Sequence, residues 1–324
     1  MRAVWVTRFG GPEVLVPGEA PEPVAGPGQV VVGVAVAGID FVQTQLRRGF
    51  TPGPALPEPP YLPGGGVAGE VLAIGAGVAS GWLGRRVAAG TVHDVGAYAE
   101  RALAPVESLV AVPDGLGLPE AAALRYDGST ALGLFDKAAI RAGEWVLVEA
   151  AAGGVGSLLV QLAHQAGARV VGAARGVEKL ALARELGAEV VVDYAEPDWT
   201  DQVLAATGGT GPDVVFDGVG GRIGQAALGI TAPGGRFSQH GAASGTPTAI
   251  DAELVRRRGV RVLGFEQLAE VGANQKRLAE RVFAAAAAGR IRPVIGRTFP
   301  VERAADAHAA IEARAVLGKT LLLV

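Results

Sequence analysis

The chain has 324 residues, a net charge of −3, no cysteine, and an apolar fraction of 49% carried by Ala and Val rather than by aromatics. That length gives room for two domains, and the missing cysteine excludes disulfides, thiolate metal sites and cysteine nucleophiles. The near-neutral charge gives no electrostatic reason to expect nucleic acid or an anionic membrane as a partner.

The start, "MRAVWVTRFGGPEVL", lacks the apolar core of a signal peptide, and no eighteen-residue run is apolar enough to span a membrane. A cytoplasmic location is expected. The first third then reads as β-structure: "RAVWVT", "VVVGVAVAGI" and "GVAGEVLAIG" are Val-rich or alternating runs separated by Gly and Pro. Between the second and third runs lies "TPGPALPEPPYLPGGG", too rich in proline for helix or central strand and therefore expected as a stiff surface loop.

From about residue 120 the rhythm changes. The helical pattern "PEAAALRYDGSTALGLFDKA" leads into strand "WVLVEA", helix "GSLLVQLAHQAG", strand "RVVGAA", helix "VEKLALARELG", strand "VVVDY" and helix "TDQVLAATG". Strands "DVVFDGV", "GRFSQHG" and "VRVLGF" follow, the first two separated by a short helical segment. Such alternation predicts βαβ units and a parallel sheet covered by helices on both faces. An Ala-rich helix, "NQKRLAERVFAAAAAG", and a closing strand, "KTLLLV", return the chain to its opening domain. The expected fold is α/β: a Rossmann-type doubly wound domain at 123–266, inserted in a largely β domain made of 1–122 and 267–324.

The turn "AAAGGVG" joins strand to helix, and its glycines, Gly153, Gly154 and Gly156, are placed to let backbone approach a pyrophosphate at a helix N-terminus. Ala151 stands where the first glycine of G-x-G-x-x-G belongs, and an alanine can take that turn with modest strain. The next strand ends Ala173, Ala174, Arg175, with Lys179 one helical turn on. An NAD site usually carries an acid at that strand end, bonded to the ribose 2′-hydroxyl. Two cations instead suit the 2′-phosphate of NADPH, by roughly 10²–10⁴-fold over NADH for two charge-assisted bonds.

The whole chain resembles the zinc-independent quinone oxidoreductases of the medium-chain dehydrogenase/reductases, the family that includes zeta-crystallin. The resemblance is carried in order by "VAGIDFVQTQLRRG", "LPGGGVAGEVLAIGAGV", "GSTALGLFDKAAIRAGEWVLVEAAAGGVG", "DVVFDGVGG", "PGGRFSQHGAASG" and "AHAAIEARAVLGKTLLLV". It implies a GroES-like catalytic domain at the chain ends. Zinc-dependent relatives carry a Cys where this chain has Asp40, and a His-Glu pair where it has Gly65 and Gly66. A lone carboxylate cannot supply the three protein ligands of a catalytic zinc, so no metal is expected. The four histidines, His93, His164, His240 and His308, show no metal-ligand spacing either.

The resemblance further implies coenzyme contacts at the turn from Ala152 through Val155 to Gly156, at Thr130, Tyr194, Gly220, His240, Gly241, Ala242, Phe265, Glu266 and Lys319. Family members place Asn and Tyr at an acceptor pocket where this chain has Asp40 and Gln45; Tyr126 and Tyr61 are the remaining phenols considered there. The activity implied is NADPH-dependent hydride transfer to quinones or α,β-unsaturated carbonyl compounds, by a homodimer paired along the "VRVLGF" edge. Two alternatives stay open. One is an enoyl-thioester reductase, whose cationic mouth would be Arg47, Arg48 or Arg256 to Arg258, although solvated surface is the commoner state of such residues. The other is an NADPH-binding sensor or crystallin-like protein without turnover.

Overall fold

The computed structural model describes residues 1–50 and 56–324. In chain order the elements are β1 (Arg2–Val6), β2 (Leu15–Glu19), β3 (Gln29–Ile39), α1 (Phe41–Arg47), β4 (Gly66–Ile74), β5 (Arg86–Gly90), β6 (Arg101–Pro105), β7 (Val110–Ala111) and α2 (Leu118–Ala138). Then come β8 (Trp145–Glu149), α3 (Gly154–Gln165), β9 (Arg169–Ala174), α4 (Val177–Glu185), β10 (Val190–Asp193), α5 (Trp199–Ala206), β11 (Val214–Asp217) and α6 (Gly221–Ile230). The chain continues with β12 (Arg236–Gln239), α7 (Ala252–Arg258), β13 (Arg261–Leu263), α8 (Glu266–Ala273), α9 (Gln275–Ala287), β14 (Ile295–Pro300), α10 (Ala304–Glu312) and β15 (Lys319–Leu323). Two compact units are distinct: Met1–Ser129 with Ala279–Val324, and Thr130–Leu278.

The unit made from both ends is built on a largely antiparallel sheet ordered β14-β15-β3-β4-β5-β7, with β6 also on β3. β3 is long because its valines serve a buried face for eleven residues, and its register against β4 shifts twice. At the second shift Gly69 is required: a Cβ there would lie 1.8 Å from the Gly33 carbonyl oxygen. α10 closes the core with Ala304, Ala307, His308 and Ile311, an i, i+3, i+4, i+7 stripe. His308 is wholly buried, its Nε2 2.9 Å from the Tyr98 hydroxyl, and burial pushes its pKa down to about 3. It is a neutral core histidine.

Two expectations for this unit need correction. Arg47 is neither solvated nor part of a cationic mouth. Its side chain is wholly buried and paired with Glu312, which Arg48 also holds from the surface at 2.8 Å and 2.9 Å. Buried guanidinium is tolerated only when paired, which is what Glu312 supplies. The Pro-rich segment is not surface throughout: Tyr61 is buried and exchanges backbone hydrogen bonds with Val6 at 2.8 Å and 3.2 Å. Its first part, residues 51–55, lies outside the described residues.

The second unit is a six-stranded sheet, parallel at each of its pairings, ordered β10-β9-β8-β11-β12-β13. Numbered from its first strand this is 3-2-1-4-5-6, the dinucleotide-binding order, with its reversal between β8 and β11. β8 reads "WVLVE" rather than alternating because both its faces are covered; Val146, Leu147 and Val148 are fully buried. Burial of side chains of this size contributes about 1.5–3 kcal/mol each. Among the described residues, no helix is long and apolar enough to cross a membrane.

Candidate coenzyme and catalytic site

In the parallel-sheet unit, β8 passes into the glycine turn and then α3, whose N-cap is Gly153. No side chain caps this helix. The amides of its first turn have no carbonyl of their own helix to bond, so they form a ready anion site. Gly156 is compulsory, since a Cβ there would stand 2.2 Å from the Ala150 carbonyl oxygen. At Gly153 the corresponding distance is 3.2 Å. The strain of the turn falls on Ala150, with φ of 48°, one residue earlier than the missing glycine at Ala151. Ala151 itself is fully buried and its amide bonds the Ala173 carbonyl at 3.0 Å. A left-handed alanine costs on the order of 1 kcal/mol and persists only where its surroundings demand it.

Arg175 is exposed at the end of β9, and Lys179 is half-buried in the first turn of α4. Between them Gly176 takes φ of 89°, and its amide donates to Asp193 Oδ2 at 2.8 Å. Asp193 ends β10 and also accepts from the Ala195 amide at 2.8 Å. Asp193 is thus hydrogen-bonded by backbone on both sides of its carboxylate. Tyr194 follows it directly, half-buried beside the same turn.

Beyond the reversal, β11 ends in Asp217, and Gly220 caps α6 with φ of 73°. A Cβ on Gly220 would lie 2.3 Å from the Thr246 carbonyl oxygen, so this glycine is required by close approach as well as by φ. His240, Gly241 and Ala242 follow β12 and are half-buried. Burial lowers the His240 pKa, opposed by Asp217, and its Nδ1 lies 3.4 Å from the Ser238 carbonyl oxygen. Phe265 precedes α8 and Glu266 opens it, exposed, accepting from the Gly264 amide at 3.0 Å. Thr130 lies half-buried on α2.

Sequence reasoning missed a second acid here. Glu149, the last residue of β8, is 1% exposed, and its Oε2 accepts from the Val219 amide at 3.3 Å. Asp217 accepts from the amides of Val219 at 3.1 Å and Gly220 at 2.7 Å, and from Thr248 Oγ1 at 2.6 Å. The available signal was the pair of runs "VLVE" and "VVFD": a carboxylate closing each of two fully apolar strands.

In the unit made from both ends, Asp40 precedes α1 without capping it. Its carboxylate instead holds the Lys319 ammonium, which also donates to Asp127 Oδ1 at 3.0 Å. Burial disfavours that ammonium, but Asp127 and Asp40 together outweigh it and hold its pKa above the ordinary lysine value. Asp127, one helical step from Tyr126, was not foreseen. Burial raises its pKa to about 6 even against the attraction of Lys319. Tyr126 donates to Asp94 Oδ1 at 2.7 Å, with the Gly65 carbonyl oxygen at 3.2 Å. Burial and the adjacent Asp94 carboxylate keep that phenol protonated. Gln45 is half-buried on α1. Tyr61 is held neutral by burial, its pKa pushed up to about 12.

Comparison with known proteins agrees with this geometry. Residues 26–114 match the alcohol dehydrogenase GroES-like domain, and residues 154–280 match the zinc-binding dehydrogenase family. The chain is 34% identical over 326 residues to a quinone oxidoreductase of Pseudomonas aeruginosa, covering 99% of both chains. It is 33% identical to a 2-haloacrylate reductase of Burkholderia, covering 99% of this chain and 98% of that one. A mycobacterial structure complexed with NADPH superposes with a TM-score of 0.92 at 34% identity, with 100% of both chains covered.

The zinc in the second family's description does not fit this chain. Asp40 is committed to Lys319, the neighbouring strand entry offers only Gly65 and Gly66, and among the described residues no three His, Asp or Glu stand together as a metal site. With full-length relatives above 30% identity, both domain types present and the dinucleotide strand order in place, the chain belongs to the quinone oxidoreductase family of the medium-chain dehydrogenase/reductases, which are oxidoreductases.

Proposed function

We propose that the chain is an NADPH-dependent reductase of quinones and α,β-unsaturated carbonyl compounds. The observation that carries this reading is the glycine turn at the strand-order reversal, with Arg175 and Lys179 at the end of the next strand. It is supported by the NADPH in the mycobacterial structure, and by the quinone and haloacrylate substrates in the names of the two relatives.

NADPH would supply a hydride to the acceptor. The α3 amides would hold its pyrophosphate, and the Arg175 guanidinium and Lys179 ammonium would bond its 2′-phosphate. Thr130, Ala152, Tyr194, Gly220, His240 to Ala242, Phe265, Glu266 and Lys319 remain the proposed further contacts. Asp40, Gln45 and Tyr126 remain the proposed acceptor-side groups. Asp40 is paired with Lys319, and the Tyr126 hydroxyl hydrogen is taken by Asp94. A released hydroquinone can take its proton from water, so quinone reduction asks little of these side chains beyond alignment.

The assay is direct. NADPH should be oxidised by 1,4-quinones or small enones; no rate above background with either overturns the reading. Lys179→Ala should raise the Michaelis constant for NADPH by roughly 10-fold or more while barely changing that for NADH. Equal effects on the two coenzymes would remove the 2′-phosphate assignment. A homodimer is also inferred, since β13 leaves an open sheet edge. Sedimentation showing only monomer at micromolar concentration would refute it.

A further inference from the structure

We propose that Glu149 is a positioning residue of the coenzyme site: its protonated carboxyl donates a hydrogen bond to Asp217 and so ties the end of β8 to the turn that opens α6. β8 and β11 are adjacent parallel strands with Val148 opposite Phe216, so the next pair in register is Glu149 and Asp217. Both are almost completely buried, and they stand at the reversal of strand order.

The donors decide which acid is ionised. Asp217 receives two backbone amides and the Thr248 hydroxyl, so its charge is compensated. Glu149 receives only the longer bond from the Val219 amide, and its Oε1 is buried with no donor to meet it. That oxygen is satisfied if it carries a proton, because Asp217, next in register on the adjacent strand, is placed to accept it. Two buried carboxylates in contact cannot both ionise without a cation. Burial first, and Asp217 second, push the Glu149 pKa well above the ordinary carboxylate range.

Among the described residues, no cation acts on the Glu149 carboxyl. Asp217 faces Glu149 from β11, and beyond it lies His240 after β12, which burial keeps neutral. On the other side β9 places Ala173 opposite Glu149. The shared proton therefore joins the two turns that flank the switch point, the one entering α3 and the one entering α6. Losing it would set two like charges against each other beneath both.

The hydrogen bond stands on the structure alone; its consequence for coenzyme rests on the NADPH reading. In the coenzyme-free protein, infrared difference spectra should show the C=O stretch of a buried carboxylic acid that disappears in Glu149→Gln. Absence of that band from the wild type at neutral pH overturns the proposal. Glutamine keeps both bonds, its amide donating to Asp217 and its carbonyl accepting from Val219, but cannot ionise. NADPH titrations from acidic to alkaline pH should then show wild-type affinity falling as Glu149 loses its proton, by up to about tenfold per pH unit, with a flatter profile in Glu149→Gln. Glu149→Leu, which fits an apolar site but cannot donate, should bind NADPH more weakly at every pH. Superimposable pH profiles for wild type and Glu149→Gln would overturn the positioning role. No NADPH binding by either form at any pH would instead sink the coenzyme reading, and the infrared band would still decide the hydrogen bond.

Discussion

Each unit of this chain holds a pair of carboxylates out of full contact with water, half-buried in one and buried in the other, and each keeps them in a different way. In the unit made from both ends, Asp40 and Asp127 share the Lys319 ammonium. In the parallel-sheet unit, no cation among the described residues pairs with Glu149 and Asp217; backbone amides and Thr248 hydrogen-bond Asp217, and Glu149 is the one proposed to carry a proton. The contrast shows that a buried acid pair can be compensated by an opposite charge or by giving up one of its own. The two solutions respond differently to mutation and to pH.

Removing the cation should have the largest effect. Lys319→Met leaves two half-buried carboxylates without their cation, and the expected loss is about 2–4 kcal/mol of unfolding free energy at neutral pH. That loss should shrink as pH falls, because protonation then does what the ammonium no longer can. Urea unfolding at several pH values measures both; a loss under about 1 kcal/mol would show that Lys319 is not the compensating charge.

Asp127→Asn should do less, costing about 1 kcal/mol or less, since Lys319 keeps Asp40 as its partner. Its signature lies in pH dependence. With a folded pKa near 6, Asp127 holds its proton longer folded than unfolded, so wild-type stability should decline as pH rises from the ordinary carboxylate range toward 6. The asparagine variant should lack that part of the decline. An unchanged profile would contradict the raised pKa.

A gain of similar size, rather than a loss, is expected at the pair without a cation. Glu149 is also an acid whose folded pKa is raised, so its contribution declines as pH rises above about 4.3, its unfolded value. Glu149→Gln should therefore be slightly more stable than wild type at neutral pH, by about 1 kcal/mol, with the gap widening toward alkaline pH. A variant less stable than wild type at alkaline pH would mean that Glu149 is ionised and held by a charge not identified in the fold.

Much of this was legible in the sequence because it is local. Val-rich runs alternating with amphipathic segments marked the parallel sheet, and the glycines before "SLLVQLAHQ" marked its anion-binding turn. What was misread was also local in appearance. Arg47 and Arg48 look like one basic patch, yet one is sealed in the core and the other is exposed, because only the packing of α10 beside α1 brings Glu312 to both. Ala151 looked like the strained position, whereas the chain bends at Ala150 and buries Ala151 against β9.

By itself the sequence determined the order of elements, the doubly wound sheet and the place where a nucleotide phosphate would meet a helix. Periodicity and glycine freedom act between near neighbours, so a linear reading finds them. Only the tertiary structure decided how the buried charges are settled. Lys319 meets Asp40 and Asp127 across 279 and 192 residues of chain, and Val219 in the turn after β11 reaches Glu149 across 70. Charge compensation acts over a few ångströms of space, and strand register and helix packing alone determine which groups lie that close.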